Sequence, residues 1–125
     1  YIDLISGKCT SIFLKKKIRM RAGETDKSVS VVNEKLFGVI KDFVEKAGFR
    51  GMIDIDLFDI DGDWYFSEVN PRFGGGYPHA YACGVNFPKQ ILNNLEGNEN
   101  PVNIGDYEEG ICMMKYNEVM FRKMQ

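Results

Sequence analysis

Apolar residues at Leu36, Val39, Ile40, Phe43, Val44 and Ala47 follow the i, i+3, i+4, i+7 spacing of one helical face. Asn33 stands before them as an N-cap and Gly48 after them at the C′ position, so the pattern predicts a helix over residues 34–47. The period then changes. Residues 51–60 and 63–69 are strand-like around Asp61-Gly62, a dipeptide that suits a type I′ hairpin turn because both residues tolerate φ > 0. Upstream, residues 1–5 and 10–20 read as two strands of an antiparallel hairpin around Ser6-Gly7-Lys8. The polar residues 21–27 (RAGETDK) read as a loop, and residues 28–32 as a short extra strand. Residues 70–77 (NPRFGGGY) are expected to be irregular, because Pro71 removes a donor and three consecutive glycines cost too much backbone entropy inside a helix or strand. A second helix is expected over residues 88–95, with Pro88 in its first turn and Gly97 just past its end. Residues 98–109 read as a loop, and residues 110–123 as a final pair of strands turning near Asn117-Glu118.

Composition narrows the function classes. In 125 residues, 16 Lys and Arg against 18 Asp and Glu leave a net charge of −2, and 44% of residues are hydrophobic, which fits one globular domain. That balance argues against a nucleic-acid-binding face or a polybasic membrane surface, each of which needs concentrated Lys and Arg. The one basic cluster, residues 15–21, is short. No apolar run reaches the roughly 20 residues that span a bilayer, and no signal peptide opens the chain, so a cytoplasmic location is expected. Cys9, Cys83 and Cys112 are odd in number and widely spaced, which suggests buried reduced thiols and neither a disulfide framework nor a zinc site. Tyr1 opens an apolar alternating stretch without a methionine, and a piece of a longer chain is the expectation.

The densest chemistry lies in residues 54–72 (DIDLFDIDGDWYFSEVNPR). Side chains alternate faces along a strand, so Asp54 and Asp56 share one face, Glu68 and Asn70 share one on the partner strand, and the hairpin can bring all four together. Two carboxylates and an amide oxygen facing one another, with no His or Cys among them, suit a hard cation such as Mg²⁺ that completes its octahedron with phosphate oxygens and water. Asp59, Asp61 and Asp63 read instead as solvated acids around the turn. A calcium loop is rejected, because aligning Gly62 and Glu68 with its sixth and twelfth positions leaves Leu57 at the first. Gly7-Lys8-Cys9-Thr10 fails as a P-loop, since Cys follows the lysine and Ile2 stands where the first glycine belongs. Gly74-Gly75-Gly76 lacks the dinucleotide fingerprint spacing; such glycines let a substrate or phosphate approach backbone N–H groups. His79, the sole histidine, has no nucleophile motif beside it and reads as a rim or packing residue. Arg72, held behind Pro71, could clamp a phosphate or carboxylate bidentately or form a surface ion pair.

At Glu68-Val69-Asn70-Pro71-Arg72 followed by Phe73-Gly74-Gly75-Gly76-Tyr77-Pro78, the sequence resembles the C-terminal half of an ATP-grasp domain, most like the carbamoyl-phosphate synthase large-subunit type and carboxylate–amine ligases. Asp56, twelve positions before Glu68, matches the metal-ligating position of the preceding strand in that family. The resemblance implies an α+β fold with an antiparallel β-sheet and packed helices. It implies that Asp56, Glu68 and Asn70 hold Mg²⁺ (or Mn²⁺) against the ATP phosphates and that Arg72 is catalytic, stabilising the transferring phosphoryl group. Lys17 and Arg21 would approach the phosphates and the carboxylate substrate, and Gly74, Gly75, Gly76 and Tyr77 would line the acceptor end. The implied reaction uses ATP to turn a small carboxylate into an acyl-phosphate that an amine attacks. By the same resemblance residues 1–125 are a single partial domain, the C-terminal portion of the fold, inactive alone; a homo-oligomer is compatible with it. The alternative is a non-catalytic binding or assembly module on the same fold, with Tyr1 and Ile2 on an exposed strand edge.

Overall fold

The computed structural model describes residues 1–124. Its elements in chain order are β1 (Leu14–Arg21), β2 (Glu24–Val31), α1 (Glu34–Lys46), β3 (Asp54–Ile60), β4 (Asp63–Asn70), α2 (Tyr77–Ala82), α3 (Phe87–Leu95) and β5 (Cys112–Met114). Two antiparallel sheets result, one of three strands in the order β1-β2-β5 and one formed by the β3–β4 pair. With three helices packed on them this is the α+β architecture expected from the sequence. No helix among the described residues is long and apolar enough to cross a membrane.

The amphipathic pattern makes α1. The Asn33 side chain accepts a hydrogen bond from the Leu36 N–H at 3.0 Å, and the chain leaves the helix through Gly48 at φ +74°. Its inner face buries Leu36, Phe37, Ile40 and Val44 with Ile2, Cys9 and Ile12, and the β3–β4 pair packs Ile55, Leu57, Trp64 and Phe66 against the same core. Phe43 stacks on Phe66 with ring centroids 4.5 Å apart. A second core joins Tyr1, Ala80 and Phe87 to Phe13, Met52, Tyr77, Val85 and Ile91, and so holds α2 and α3. Helix α3 starts as expected, with Pro88 in its first turn and Asn86 capping the Lys89 N–H at 3.0 Å.

Six expectations are corrected. Residues 1–5 form no strand: Ile2 makes single bridges to Cys9 and Gly51, and the Asp3 carboxylate draws the N–H groups of Ile5 and Ser6 into a turn. Residues 24–27 belong to β2, because Ala22 (φ +50°) and Gly23 (φ +76°) alone complete the β1–β2 turn. Helix α2 begins inside the expected irregular segment, at Tyr77 with Pro78 in its first turn. The expected pair of strands in residues 110–123 reduces to β5, which pairs with the free edge of β2; residues 115–124 carry no regular secondary structure. Only Cys9 of the three cysteines is buried, Cys83 being intermediate and Cys112 exposed. The strand edge proposed for a binding module also fails, because Tyr1 and Ile2 lie in the two cores.

Candidate functional site

The sequence places acids on β3 and β4, and the register decides what they meet. Asp54 pairs with Asn70 and Asp56 with Glu68, so the four oxygen-bearing side chains are cross-strand neighbours on one face. A β-bulge makes this so. Between the Asp56–Glu68 and Leu57–Phe66 pairs, Ser67 is an extra residue on β4. Strict alternation would put Phe66, Glu68 and Asn70 on the same face. The bulge inverts the parity, sending Phe66 into the core and Glu68 to the opposite side.

That side faces a cleft of about 410 Å³. Lys15, Lys17, Met20, Glu24 and Thr25 of β1 and β2 form one wall, Asp54, Asp56, Glu68 and Asn70 another, and Arg72 to Gly76 close one end. Lys15 and Lys17 pair with Ser30 and Ser28 of β2, and the bulges after Lys17 let Met20 share the cleft side. The Lys17 ammonium lies 2.6 Å from Asp56 Oδ1, joining the two sheets across the cleft. Arg72 Nη1 is 3.8 Å from Asp54 Oδ2 and donates to the Phe73 carbonyl at 3.2 Å. Glu24 accepts from Lys115 at 2.9 Å, and this bond holds its carboxyl below the ordinary range. Burial pushes the Lys15 ammonium down, with Asp54 acting in the other direction.

The three glycines leave room for these charges. A Cβ on Gly74 would strike the Asp54 carboxylate, and one on Gly75 would come within 2.8 Å of Glu24 Cδ. On Gly76 it would meet Lys15 Cε at 2.7 Å and Nζ at 2.9 Å. The polyglycine run is therefore packed against cleft side chains as well as exposing its own backbone.

The structure brings Lys17, Asp56, Glu68, Asn70, Arg72, Gly74, Gly75 and Gly76 to the cleft. Arg21 and Tyr77 do not line it. Arg21 is exposed at the end of β1. Tyr77 packs against Phe73, Tyr81 and Phe87 in the second core, because its position at the start of α2 turns it away. Its hydroxyl is buried without a hydrogen bond; burial raises its pKa, while the nearby Phe87 backbone opposes that rise without meeting hydrogen-bond geometry. His79 is a packing residue: it is 1% exposed, lies 2.8 Å from Ser28 Oγ through Nδ1 and 2.9 Å from the Ile111 carbonyl through Nε2. Lys15, Glu24 and Thr25 are cleft residues that the motif-based reading did not assign. The signal for Lys15 is the i, i+2 spacing with Lys17 on a strand.

Among the described residues no group of three or more His, Cys, Asp or Glu side chains has a metal-binding arrangement. The chemistry of the donor set still fits a hard cation that draws its remaining ligands from phosphate: two paired carboxylates and an amide oxygen, all oxygen donors, with a cationic amine already resting on Asp56. A sequence model of one protein family, described as "ATP-grasp in the biosynthetic pathway with Ter operon", matches residues 2–119. No curated protein matches the chain.

Proposed function

The chain belongs to the ATP-grasp family, and from that premise we propose that its cleft is the metal-and-phosphate end of a carboxylate–amine ligase site of carbamoyl-phosphate synthase-like type. The family in general comprises ATP-dependent ligases that use ATP with Mg²⁺. In this reading residues 1–125 are the C-terminal portion of the ATP-grasp unit. The observation that carries it is the bulged register of β3 and β4, which sets Asp56 against Glu68 and Asp54 against Asn70 on the face that Lys17 and Arg72 also reach.

Asp56, Glu68 and Asn70 would hold Mg²⁺ (or Mn²⁺), which supplies charge neutralisation for the phosphates when bound. Lys17 releases Asp56 to that role and turns its ammonium toward a phosphate oxygen, a short movement for a side chain one-third exposed. Arg72 is the group suited to the equatorial oxygens of the transferring phosphoryl, since its planar fork can take two of them. The acceptor's carboxylate oxygen would attack the γ-phosphorus as ADP leaves, and an amine would then attack the acyl carbon as phosphate leaves. The protein's work is positioning and charge, which is what phosphoryl transfer asks of it.

Calorimetric titration of Mg²⁺-ADP and Mg²⁺-ATP into this chain and into Glu68→Gln tests the reading. Glu68→Gln keeps shape and removes one anionic ligand, so it is expected to weaken binding at least about tenfold while the melting temperature stays within a few degrees. A wild-type chain that binds no better than the variant would overturn the assignment.

A further inference from the structure

His79 is the chain's one histidine, it is fully buried, and it does not line the cleft. It stands at the third position of α2, and its two nitrogens tie that helix to two other parts of the fold. The Ile111 carbonyl, just before β5, can only accept, so its 2.9 Å contact places the ring proton on Nε2. Nδ1 is then the acceptor, and Ser28 Oγ of β2 donates to it at 2.8 Å. Phe13 meets the ring edge-on with centroids 5.1 Å apart. The neutral imidazole is thus satisfied on both sides. A second proton would go on Nδ1 and turn that acceptor into a donor. Ser28 is buried too, and its hydroxyl has no other hydrogen-bond partner among the described residues, so reversing it to accept leaves its own proton unanswered.

A charge on the ring would also face a cation, since Lys15 of β1 is the charged side chain that acts on it. The acids of the neighbouring elements are engaged elsewhere. Asp26 of β2 lies 3.6 Å from Arg19, Glu24 accepts from Lys115, Glu109 accepts from the Val32 N–H, and Glu108 acts on Cys83 past the end of α2. Lys27 of β2 alternates to the face opposite Ser28. On α2 itself Tyr77 packs in the second core and Tyr81 is exposed, as is Cys112 of β5. Burial therefore pushes the imidazole pKa below its ordinary value, with the Ile111 bond opposing the shift and Lys15 adding to it.

We propose that neutral His79 is a pH-sensitive lock that docks α2 on β2 and on the segment before β5, and that proton uptake at Nδ1 releases α2 together with the glycine run that leads into it. The link to the cleft is short, because α2 begins at the residue after Gly76 and the run packs directly on Asp54, Glu24 and Lys15. The lock is a property of the free chain and holds whatever the cleft binds. Its sign follows from the depressed pKa. The unfolded chain, with an ordinary imidazole value of about 6.5, takes up the proton first, so the stabilisation is present above that value and is lost as pH falls from there through the folded value.

Because the chain has a single histidine, its ring resonances can be followed by NMR without ambiguity. The ¹⁵N-labelled chain is titrated from about pH 8 to about pH 5, with the same chain in urea as the unfolded reference, and amide hydrogen exchange is recorded as protection factors. The ring is expected to carry its proton on Nε2 at the start and to titrate at a lower pH than in urea. As it titrates, protection in α2 and at Gly74 to Gly76 is expected to fall about tenfold or more, while α1 and the β3–β4 hairpin keep theirs. His79→Gln retains an amide donor and an acceptor and does not titrate, so its α2 protection should be flat across the same range. Should that variant fail to fold, the wild-type titration decides alone. A ring that titrates no lower than in urea, wild-type α2 protection that stays flat, or the same pH-dependent loss in folded His79→Gln would overturn the proposal. A loss spread evenly over α1 and the β3–β4 hairpin would overturn it as well, since the whole fold would then be opening and not α2.

Discussion

Asp3 shows how much one side chain can organise. Its Oδ1 accepts from the N–H groups of Ile5 and Ser6 and from Ser6 Oγ, and its Oδ2 from Asn94 Nδ2 and from the backbone and side chain of Asn100, all within 3.1 Å. Burial alone would raise its pKa, but these bonds outweigh it and hold the carboxyl well below the ordinary carboxylate range. An amide cannot replace it, since either orientation of an asparagine side chain at this position would point its NH₂ at three donors. Asp3→Asn should therefore destabilise the fold by about 2–3 kcal/mol at neutral pH, measured by chemical denaturation. The sign of the pH dependence follows from the depressed pKa. The contribution is complete above about pH 5, where Asp3 is ionised folded and unfolded alike, and it falls as the unfolded chain takes up its proton first. The gap between wild type and variant should narrow as pH drops below about 5. At this scale the sequence reveals some roles and hides others. Asp56, Glu68, Asn70 and Arg72 are legible because motif spacing marks them, although the two-residue turn alone would set Asp56 against Ser67 and the bulge is what moves it to Glu68. Asp3 and Lys15 are not, since their partners lie far along the chain, Asn94 and Asn100 for one and Gly76 for the other.

The β3–β4 hairpin is where an element's geometry controls the chemistry. Its turn is written in Asp61-Gly62, and both residues adopt positive φ, +55° and +90°. Its bulge is not, because Ser67 differs in no obvious way from a paired strand residue. Were Ser67 paired like its neighbours, the parity that sends Phe66 inward would send Glu68 and Asn70 inward too. Inserting one residue between Asp56 and Leu57 gives Ser67 a partner and removes the bulge, so Phe66 comes to share a face with Glu68 and Leu57 with Asp56; this is expected to cost at least about 3 kcal/mol, since it drives carboxylates toward an apolar core, and to abolish Mg²⁺-ADP binding. Ser67→Ala keeps the bulge and should keep both properties. Thermal denaturation with calorimetry on the two variants separates them. Helix α1 lies at the other extreme of legibility, since an apolar period of about 3.6 residues, an Asn cap and a closing glycine specify it locally. Residues 110–123 are unreadable for a tertiary reason: whether a short apolar run becomes a strand depends on a free edge, and β2 offers one to Cys112–Met114.

Across the whole molecule, the cleft lies where the two sheets face each other, and the ties between them are few and specific. The Lys17–Asp56 pair is about one-third exposed on both sides, so solvent screens it and its net worth is small, about 0–1 kcal/mol. Tyr107 does more. Its hydroxyl accepts from the Leu14 N–H at 2.9 Å and donates to the Val31 carbonyl at 2.8 Å, while its ring meets Phe13 and Phe37, so that it joins β1, β2 and α1. Burial pushes its pKa up to about 12. A ligand bound by Asp56 and Glu68 on one sheet and by Lys17 on the other would add a tie across the cleft that the free protein has only weakly. By mass action it stabilises the folded state by about 2.7 kcal/mol at a hundredfold excess over Kd. Mg²⁺-ADP should therefore raise the melting temperature of the wild type, and hydrogen exchange should show added protection in both β1 and β3, the two strands on opposite sides of the cleft. Protection confined to β3 and β4 would mean that the nucleotide engages the hairpin alone. Since Lys17–Asp56 is the only ion pair among the described residues that already crosses from β1 to β3, Lys17→Met should reduce the β1 protection while leaving that of β3 largely in place.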